Sequence, residues 1–543
     1  MAEPTIQLGG GNWAGKTDNL LGYYKEGERF YKQDFTFSRS TTGTYTDSDG
    51  YIQEMPYNKL LQSNQFDTTW GNYNSTETYD SNLNAWLIEK TGIYGFIRQF
   101  ISLSGEQTLS VYAKASTLNW LHMKGSNNSA YFDLENGVLG SYNTTSASIE
   151  SVGNGFYRCS ITYSGDITDV RIYPADGNND VSGTSGSIYI QNAQLVKGTS
   201  AKTYFPTTTR LNMPRVDYLN NSNGSLILEP QRTNLYLNSE PTANEGPAGN
   251  ISYVGTSFGL GFNNYTYYLD NSVVRYRYGG TCAATTEYTL SVFVIMNDNS
   301  SPNVSASSTS GDFSIVIADG FATPISVTHY GNNIYRVIAK RTSGSSGLSN
   351  NGIAKYTGQS SVGFKAVGWQ LEQGSYPTTL INTSGSSVTR NSDTLNLLNT
   401  SNIIGQSEGT LFFDANFNTA DSYNISLSDS SSSNYISIDT TSGKAIFARV
   451  QSGGSTQATI NTSAGYFEDG QRLKCAIAYK ANDFAFYING TQIGTDTSGS
   501  VPSTDDIRFA RFNGSLAANQ SVNEFKLYNT RLSNSELATL TTL

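Results

Sequence analysis

Asn212 to Glu240 reads NMPRVDYLNNSNGSLILEPQRTNLYLNSE, and this stretch decides the fold. A turn-rich run, Asn220-Asn221-Ser222-Asn223-Gly224, separates two short extended runs, Arg215-Val216-Asp217-Tyr218 and Leu226-Ile227-Leu228. Pro230 stops the second run, because proline has no N–H to offer a sheet ladder. An echo lies earlier: the turn Asp47-Ser48-Asp49-Gly50, then Tyr51-Ile52-Gln53-Glu54-Met55-Pro56, then Asn58-Lys59-Leu60-Leu61-Gln62-Ser63-Asn64. Each copy opens a long segment, and the two segments resemble one another. The chain is a tandem repeat with joints.

Working outward, residues 57–208 form the first repeat and 232–384 the second, with a joint at 209–231. Alternation is plain in Thr108-Leu109-Ser110-Val111-Tyr112-Ala113, in Gly155-Phe156-Tyr157-Arg158-Cys159-Ser160-Ile161 and in Ser187-Ile188-Tyr189-Ile190. Period-two runs broken by Gly/Asn/Ser turns describe antiparallel strands with one wet face. The second repeat retraces the first. Tyr288-Thr289-Leu290-Ser291-Val292-Phe293 answers Gln107 to Tyr112, and Gly331-Asn332-Asn333-Ile334-Tyr335-Arg336 answers Gly153 to Arg158. Gly368 to Gly374 likewise answers Asn192 to Gly198. The period is a whole domain, too long for a solenoid unit, so the expectation is two jelly-roll-type β-sandwiches in series.

Residues 385–408 form a Ser/Asn-rich linker, and 409–543 a third β domain. There Phe484-Ala485-Phe486-Tyr487-Ile488 meets Asn489-Gly490, the strongest short hairpin signal. Ser533-Asn534-Ser535-Glu536 is a capping box that starts one short helix. Residues 1–56 carry too little apolar surface for a core of their own and are expected as an extended arm or intertwined stem. The whole is all-β and multidomain.

Composition narrows the function classes. At 543 residues with 37% hydrophobic and 14% charged content, the chain is neither a charge-rich disordered segment nor a helical bundle. The 36 Tyr and 25 Phe fit many short strands joined by polar turns. A net charge of −10 and no Lys/Arg cluster exclude a nucleic-acid partner. No apolar run is long enough to span a bilayer, so no membrane insertion is expected. The N-terminus has no cationic head followed by an apolar core, so no signal peptide is expected either. Cys159, Cys282 and Cys475 are odd in number, far apart and set in apolar runs, which predicts buried free thiols. Together these features predict assembly in a cytoplasm, whatever the final location.

Catalytic constellations are scarce. With only His122 and His329, neither a multi-histidine zinc site nor a Ser-His-Asp set in a G-x-S-x-G context is expected. No strand of the third domain alternates acids in the manner of a sandwich hydrolase. Asp429 and the pair Asp505/Asp506 are the loop carboxylates that calcium would use, but solvated turn aspartates explain them more simply, and no cofactor is expected. Gly10-Gly11-Asn12-Trp13-Ala14-Gly15-Lys16-Thr17 satisfies the phosphate-loop pattern, yet that chemistry needs a buried strand before the loop and a helix after it. TDNLLGYYKEGERFYKQDF, which follows, has no helical stripe. No catalysis is expected.

Phe132-Asp133-Leu134-Glu135-Asn136-Gly137, followed by Gly153 to Cys159, resembles the repeated carbohydrate-binding-type sandwich domains of bacteriophage tail and head fibres. Leu226 to Leu235 is similar to the segment that introduces such domains in phage structural proteins. Leu8 to Lys16 and Phe35-Thr36-Phe37-Ser38-Arg39 resemble their virion-proximal arms. Phe486 to Gly490 and Leu532 to Leu537 are similar to laminin-G-like, concanavalin-type lectin sandwiches. The second repeat lacks the Phe-Asp-Leu string and has Val337 where the first has Cys159. The resemblance implies a virion appendage, a fibre or spike contacting host-surface glycan and bound to other virion proteins through its N-terminal arm. The alternatives are a glycan-degrading enzyme with accessory binding domains and a non-adhesive capsid decoration. Residues 1–56 and the joint need neighbours to offset ordering costs of about 1–2 kcal/mol per residue. Closed symmetry supplies them, and the resemblance implies a homotrimer.

One face of the first repeat suits a sugar. Trp120-Leu121-His122-Met123-Lys124 and Tyr131-Phe132-Asp133-Leu134-Glu135 both alternate, with Leu121, Met123, Phe132 and Leu134 inward. Paired as a hairpin, they gather Trp120, His122, Lys124, Tyr131, Asp133 and Glu135 on one outer face. Flat aromatic rings beside charged hydrogen-bonding groups match a sugar's apolar faces and hydroxyl rim. Such mixed faces are also ordinary on sandwiches, and the second repeat, with Asp312-Phe313-Ser314-Ile315 there, lacks the grouping.

Overall fold

The computed structural model describes residues 2–543 except 17–18, 27–28, 56–57, 104–105, 203, 208–211, 243–250, 347–348, 419–421 and 516–518. Thr17 of the phosphate-loop string, Pro56 of the early echo and the expected boundaries at 56–57 and 208–209 lie outside these described residues. The chain is a multidomain assembly of antiparallel sheets, with Asn534–Thr541 the one helix among the described residues. It resolves into two compact units. One contains Gln53–Arg210 and Ser257–Asn263; the other contains Met1–Ile52, Leu211–Thr256 and Asn264–Leu543.

The first unit is a sandwich of two six-stranded sheets. One sheet runs Val138–Tyr142, Asn128–Asp133, Trp120–Gly125, Ile167–Ala175, Phe96–Leu103, Gly71–Tyr73 from edge to edge. The other centres on Gln107–Ala115, flanked by Phe156–Tyr163 and Ser187–Lys197. Alternation sends Leu109, Val111, Leu121, Met123, Phe132 and Cys159 into one core between them. A second sandwich, in the other unit, repeats the plan around Glu287–Met296, Tyr335–Thr342 and Phe364–Gln373, with Trp369 fully buried in its core.

The repeated strings turn out to be scaffold. Arg158 donates to Ser110 Oγ and to the Lys202 carbonyl while lying over the Tyr112 ring. Arg336 donates to Ser291 Oγ and to the Thr378 carbonyl over the Phe293 ring. Asn58 accepts from the Leu60 and Leu195 amides and donates to the Ala193 and Phe205 carbonyls. Asn234 does the same with Tyr236, Leu371, Trp369 and Ile381. Each buried amide side chain is satisfied on both sides, which ties the joint to the far end of its own sandwich.

The concanavalin-type sandwich at the C-terminal end is composite. Glu408–Phe417 pairs with Gln471–Lys480 on one side and Gln520–Tyr528 on the other. Ile6–Gly9 then extends this layer beyond Gln520–Tyr528, with Ile6 opposite Leu527 and Leu8 opposite Phe525. Arg29–Ser38 pairs with Asn19–Glu26 and with Thr394–Leu397, and Ser225–Leu228 pairs with Gln520–Tyr528. The N-terminal residues are therefore not an arm. Ile6, Leu8, Leu20, Phe35 and Phe37 are each at most 1 % exposed in the same core as Phe413, Ile477 and Phe525. Each fully buried side chain of this size stabilises by roughly 1.5–3 kcal/mol, so the chain itself supplies the neighbours that these residues need. Residues 385–408 likewise are not a free linker, since Val388–Arg390 pairs with Arg232–Asn234, and Leu395, Leu397, Ile403 and Ile404 join the core. The glycine string of the phosphate-loop pattern leads into the strand Asn19–Glu26 rather than a helix. Trp13 Nε1 there donates to the Gly224 carbonyl.

Phe35, Phe37 and Arg39 share the inward face of their strand, and Arg39 opens a buried ionic knot. Arg39 Nη1 lies 2.8 Å from Asp393 Oδ1, and Arg215 Nη2 lies 2.6 Å from Asp393 Oδ2 and 2.9 Å from Glu229 Oε2. Arg390 Nη1 also reaches Glu229, and Thr379 donates to both Glu229 oxygens. All five charged side chains are at most 5 % exposed. Burial lowers Arg39 to about 10 despite Asp393 beside it. Burial pushes Glu229 up, but Arg390 and Arg215 outweigh it and hold the carboxyl at about 2.

Three predictions follow from this packing. Asp393→Asn leaves Arg39 and Arg215 short of a counter-charge and is expected to destabilise the unit by about 3–5 kcal/mol in urea unfolding. Residues 385–543 expressed alone lack the N-terminal strands and are expected to show no cooperative transition by near-UV circular dichroism. The third concerns Asp439, whose carboxyl burial pushes up to about 7 against the pull of Arg449 and Ser437. Its folded value lies above the unfolded one, so the fold binds the extra proton and this contribution declines as pH rises from about 4 through 7. Asp439→Asn is expected to flatten that slope in pH-dependent thermal melts.

Candidate functional site

The two runs singled out by alternation do pair as a hairpin, with Trp120 opposite Asp133, His122 opposite Tyr131 and Lys124 opposite Ser129. Leu121, Met123, Phe132 and Leu134 face the core, each at most 2 % exposed. Trp120, His122, Lys124, Tyr131 and Asp133 accordingly share the outer face. Glu135 lies in the turn beyond the strand, where its carboxylate accepts from Asn119 Nδ2. Asp133 is occupied locally too, accepting from the Glu135 and Asn136 amides and from Asn136 Nδ2. Both carboxylates shape the turn.

The neighbouring strands enlarge the face. His122 is also opposite Tyr173, Lys124 is opposite Arg171, Arg171 is opposite Arg98, and Phe96 is opposite Tyr73. Five rings thus form a row across five strands. The centroid separations are 4.1 Å for Tyr131–His122, 4.9 Å for His122–Tyr173, 4.8 Å for Tyr173–Phe96 and 5.2 Å for Phe96–Tyr73. The Tyr131–His122 and Phe96–Tyr73 pairs are stacked, at 9° and 20° between planes. A ring held between neighbours on adjacent strands cannot also lie flat against a sugar, so the expected open platform is corrected: the row offers edges, with flat faces free only at its ends. Tyr73, at one end, is 50 % exposed. At the far side of the hairpin Gly140 lies under the Trp120 ring, where an added Cβ would come within 2.7 Å of Cζ3.

Beside the aromatic row runs a basic one. Lys124, Arg171 and Arg98 stand in lateral register, with Arg171 over Phe96 at 5.2 Å and Arg98 over the exposed Phe100 at 4.3 Å. Arg171 Nε bonds Asp169 Oδ2 at 2.5 Å. Arg98 and Lys124 have no carboxylate partner among the described residues. His122, 6 % exposed, is held neutral: burial first, then Lys124, lowers it to about 3. Its Nδ1 is buried without a hydrogen-bond partner.

Of the carboxylates weighed for calcium, Asp429 accepts from Ser431 and Asn434, and Asp506 accepts from Ser430, Arg508 and the Asn399 amide. No group of three metal-ligating side chains gathers among the described residues. No helix there is long and apolar enough to cross a membrane. All three cysteines are buried and free. In the other unit a cleft of about 500 Å³ is lined by Asp217, Arg336, Lys444 and Glu468 among others. Arg336 there donates to Ser291 and Thr378, Asp217 accepts from the Thr46 amide, and Lys444 donates to Glu468.

Residues 385–538 match the Concanavalin A-like lectin/glucanases superfamily. A comparison with curated proteins gave no match. Among solved structures the chain is similar to the CBM40 domain of the Ruminococcus gnavus IT-sialidase, with 13% identity, 26% of this chain and 85% of that one covered, and a TM-score of 0.23. It is also similar to the tandem CBM22-1–CBM22-2 domain of Paenibacillus barcinonensis Xyn10C (7%, 62% and 98%, TM-score 0.19). A third similarity is to a mutant of the GH43 protein BlXynB from Bacillus licheniformis (12%, 96% and 99%, TM-score 0.18). The chain is a multidomain β-sandwich protein with a concanavalin-like domain at residues 385–538.

His122 gives the site a pH signature. Its folded pKa lies below the unfolded value near 6.5, so the unfolded chain takes up the proton first and stability falls as pH drops from about 6.5 toward 3. His122→Phe keeps a ring in the stack and is expected to remove that loss in urea titrations compared at pH 4.5 and 7.

Proposed function

We propose that this protein is a structural appendage of a bacteriophage virion, a fibre or spike, which holds the particle against host-surface glycan without cutting it. The observation that carries the adhesive part is the row of Tyr131, His122, Tyr173, Phe96 and Tyr73 on the outer face of the first sandwich. Inside a row each ring braces the next, so the face is pre-organised and a bound sugar has little side-chain entropy to quench. The concanavalin-type region at 385–538 supports the same class of ligand, because glycan binding is a common use of that sandwich.

The virion role rests on the fibre-like strings of the first repeat and the joint, and so does trimeric assembly. Pairing of Ile6–Gly9, Asn19–Glu26 and Arg29–Ser38 into their own chain's sandwich removes the burial argument for a trimer but not the resemblance. Other virion proteins would then meet the surface of the unit that contains those strands.

Trp120→Ala with Tyr131→Ala is expected to weaken binding of the purified protein to host cells by about tenfold or more, since ring stacking is worth around 1 kcal/mol per ring in such contacts. The urea midpoint should stay within the range of surface substitutions. Sustained reducing-sugar release from host glycan would instead establish the enzyme reading, and a sedimentation mass near 58.9 kDa at micromolar concentration would remove the trimer.

A further inference from the structure

The lateral register of Lys124, Arg171 and Arg98 is costly in the bare protein. Neighbouring strands lie about 4.8 Å apart, and like charges directly opposite one another destabilise a sheet. Here three cations stand in one line, and Asp169, bonded to Arg171 Nε, is the one carboxylate that an ion pair joins to them among the described residues. The line sits on a chain whose net charge is −10, so a basic row is no general surface property. Arg98 is moreover held over the Phe100 ring, which fixes its guanidinium while leaving its donors unused by any carboxylate. Beside the line, His122 adds a buried nitrogen without a partner.

We propose that the outer face of the first sandwich takes an acidic glycan, one that carries carboxylates. The carboxylates lie along Lys124, Arg171 and Arg98, and the sugar rings run beside them along the aromatic row. The proposal rests on the glycan-binding reading above and names the ligand's charge. An anionic polymer suits the geometry because its charges repeat along a line, as the cations do, and a planar guanidinium pairs with a carboxylate through two parallel hydrogen bonds. Attraction to the basic row also explains how a protein of net negative charge can approach a negatively charged polymer: at physiological salt only charges within about 8 Å are felt strongly.

The test uses the full chain on immobilised hyaluronan, alginate, polygalacturonate and polysialic acid, with dextran and galactomannan as neutral polymers. Carboxyl-reduced hyaluronan and polygalacturonate, and dextran sulfate, complete the panel. Binding to at least one carboxylated polymer, lost on reduction or on raising salt, is the expected result. The double variant Arg98→Gln with Lys124→Gln is expected to weaken that binding about tenfold or more, the worth of a charge-assisted hydrogen bond. Lys114→Gln, on the opposite sheet, should leave it unchanged. Equal binding to reduced or neutral polymers, or preference for dextran sulfate, overturns the inference and leaves the glycan-binding reading standing. Binding to no polymer in the panel overturns both. A sedimentation mass that falls in the double variant would show the face to be covered by a second copy, which also overturns it.

Discussion

Three arginines and two carboxylates with no access to water organise the larger unit. Arg39 comes from the N-terminal strands, Arg215 and Glu229 from the joint, and Arg390 and Asp393 from the stretch after the second sandwich. Bringing such charges out of water costs several kcal/mol each, recovered only when geometry and hydrogen bonding are complete. The pairing here draws on every segment at once, with Arg215 Nε and Arg390 Nε left without partners. Asp393 Oδ2 takes both Arg215 and the Glu229 amide, while Thr379 and the Pro230 carbonyl bond Glu229 and Arg390 in turn. A registry function suits this arrangement better than raw stability: any other placement of the three segments strands a charge in the interior. The adjoining core then follows, since fixing Arg39 also fixes Phe37 and Phe35 two and four positions earlier on the same inward face.

What the sequence revealed, and what it hid, follows from contact range. Alternation is local, so the strands of both repeats, the Asn489-Gly490 hairpin and the capped helix at Ser533 could be read directly. Tandem duplication was legible because the copies preserve the residues that satisfy the buried backbone, Asn58 with Asn234 and Arg158 with Arg336. Nothing local says that Ile6 pairs with Leu527 or that Thr394–Leu397 pairs with Arg29–Ser38. Thin apolar content in residues 1–56 signalled only that they need partners, and an arm is the wrong inference when those partners lie at the other end of the same chain. The ionic knot was invisible for the same reason, Arg39 and Asp393 being 354 positions apart.

The candidate site divides along the same line. Trp120, His122, Lys124 and Tyr131 belong to one hairpin, so period two and a short loop sufficed to put them together. Tyr173, Phe96 and Tyr73 arrive through sheet order, in which strands distant in sequence become neighbours. Tyr173 and Phe96 each carried a weak signal, an aromatic residue alternating with core positions in Arg171-Ile172-Tyr173 and Phe96-Ile97-Arg98, whereas Tyr73 lies on the wholly exposed Gly71–Tyr73. The ring orientation carried none. Stacking between strands is decided by rotamers that only the assembled sheet selects.

Duplication with divergence separates the two copies. The two sandwiches share their buried hydrogen-bond scheme, yet the sheets that correspond by pairing differ in where they keep their cations. In the second, Arg275, Arg277 and Lys355 face inward and are at most 7 % exposed. Arg277 there lies over Tyr236 and Trp369, and Lys355 donates to the Asp312 carbonyl, burial lowering it to about 8. The outward positions of the strands at the centre of that sheet are Ser314, Val316, Gly352 and Ala354, which are buried and uncharged, and Tyr276 and Tyr278 stack beside them on the adjoining strand. In the first, the inward positions are Ile97, Met123 and Ile172, and Arg98, Lys124 and Arg171 face out. One strand pattern shifted by a single residue exchanges a core for a surface, because side chains alternate with period two. The second sandwich spends its arginines on holding itself together, which suits a spacer. The first fills the inward positions of these strands with Ile97, Met123 and Ile172 and keeps Arg98, Lys124 and Arg171 on its outer face.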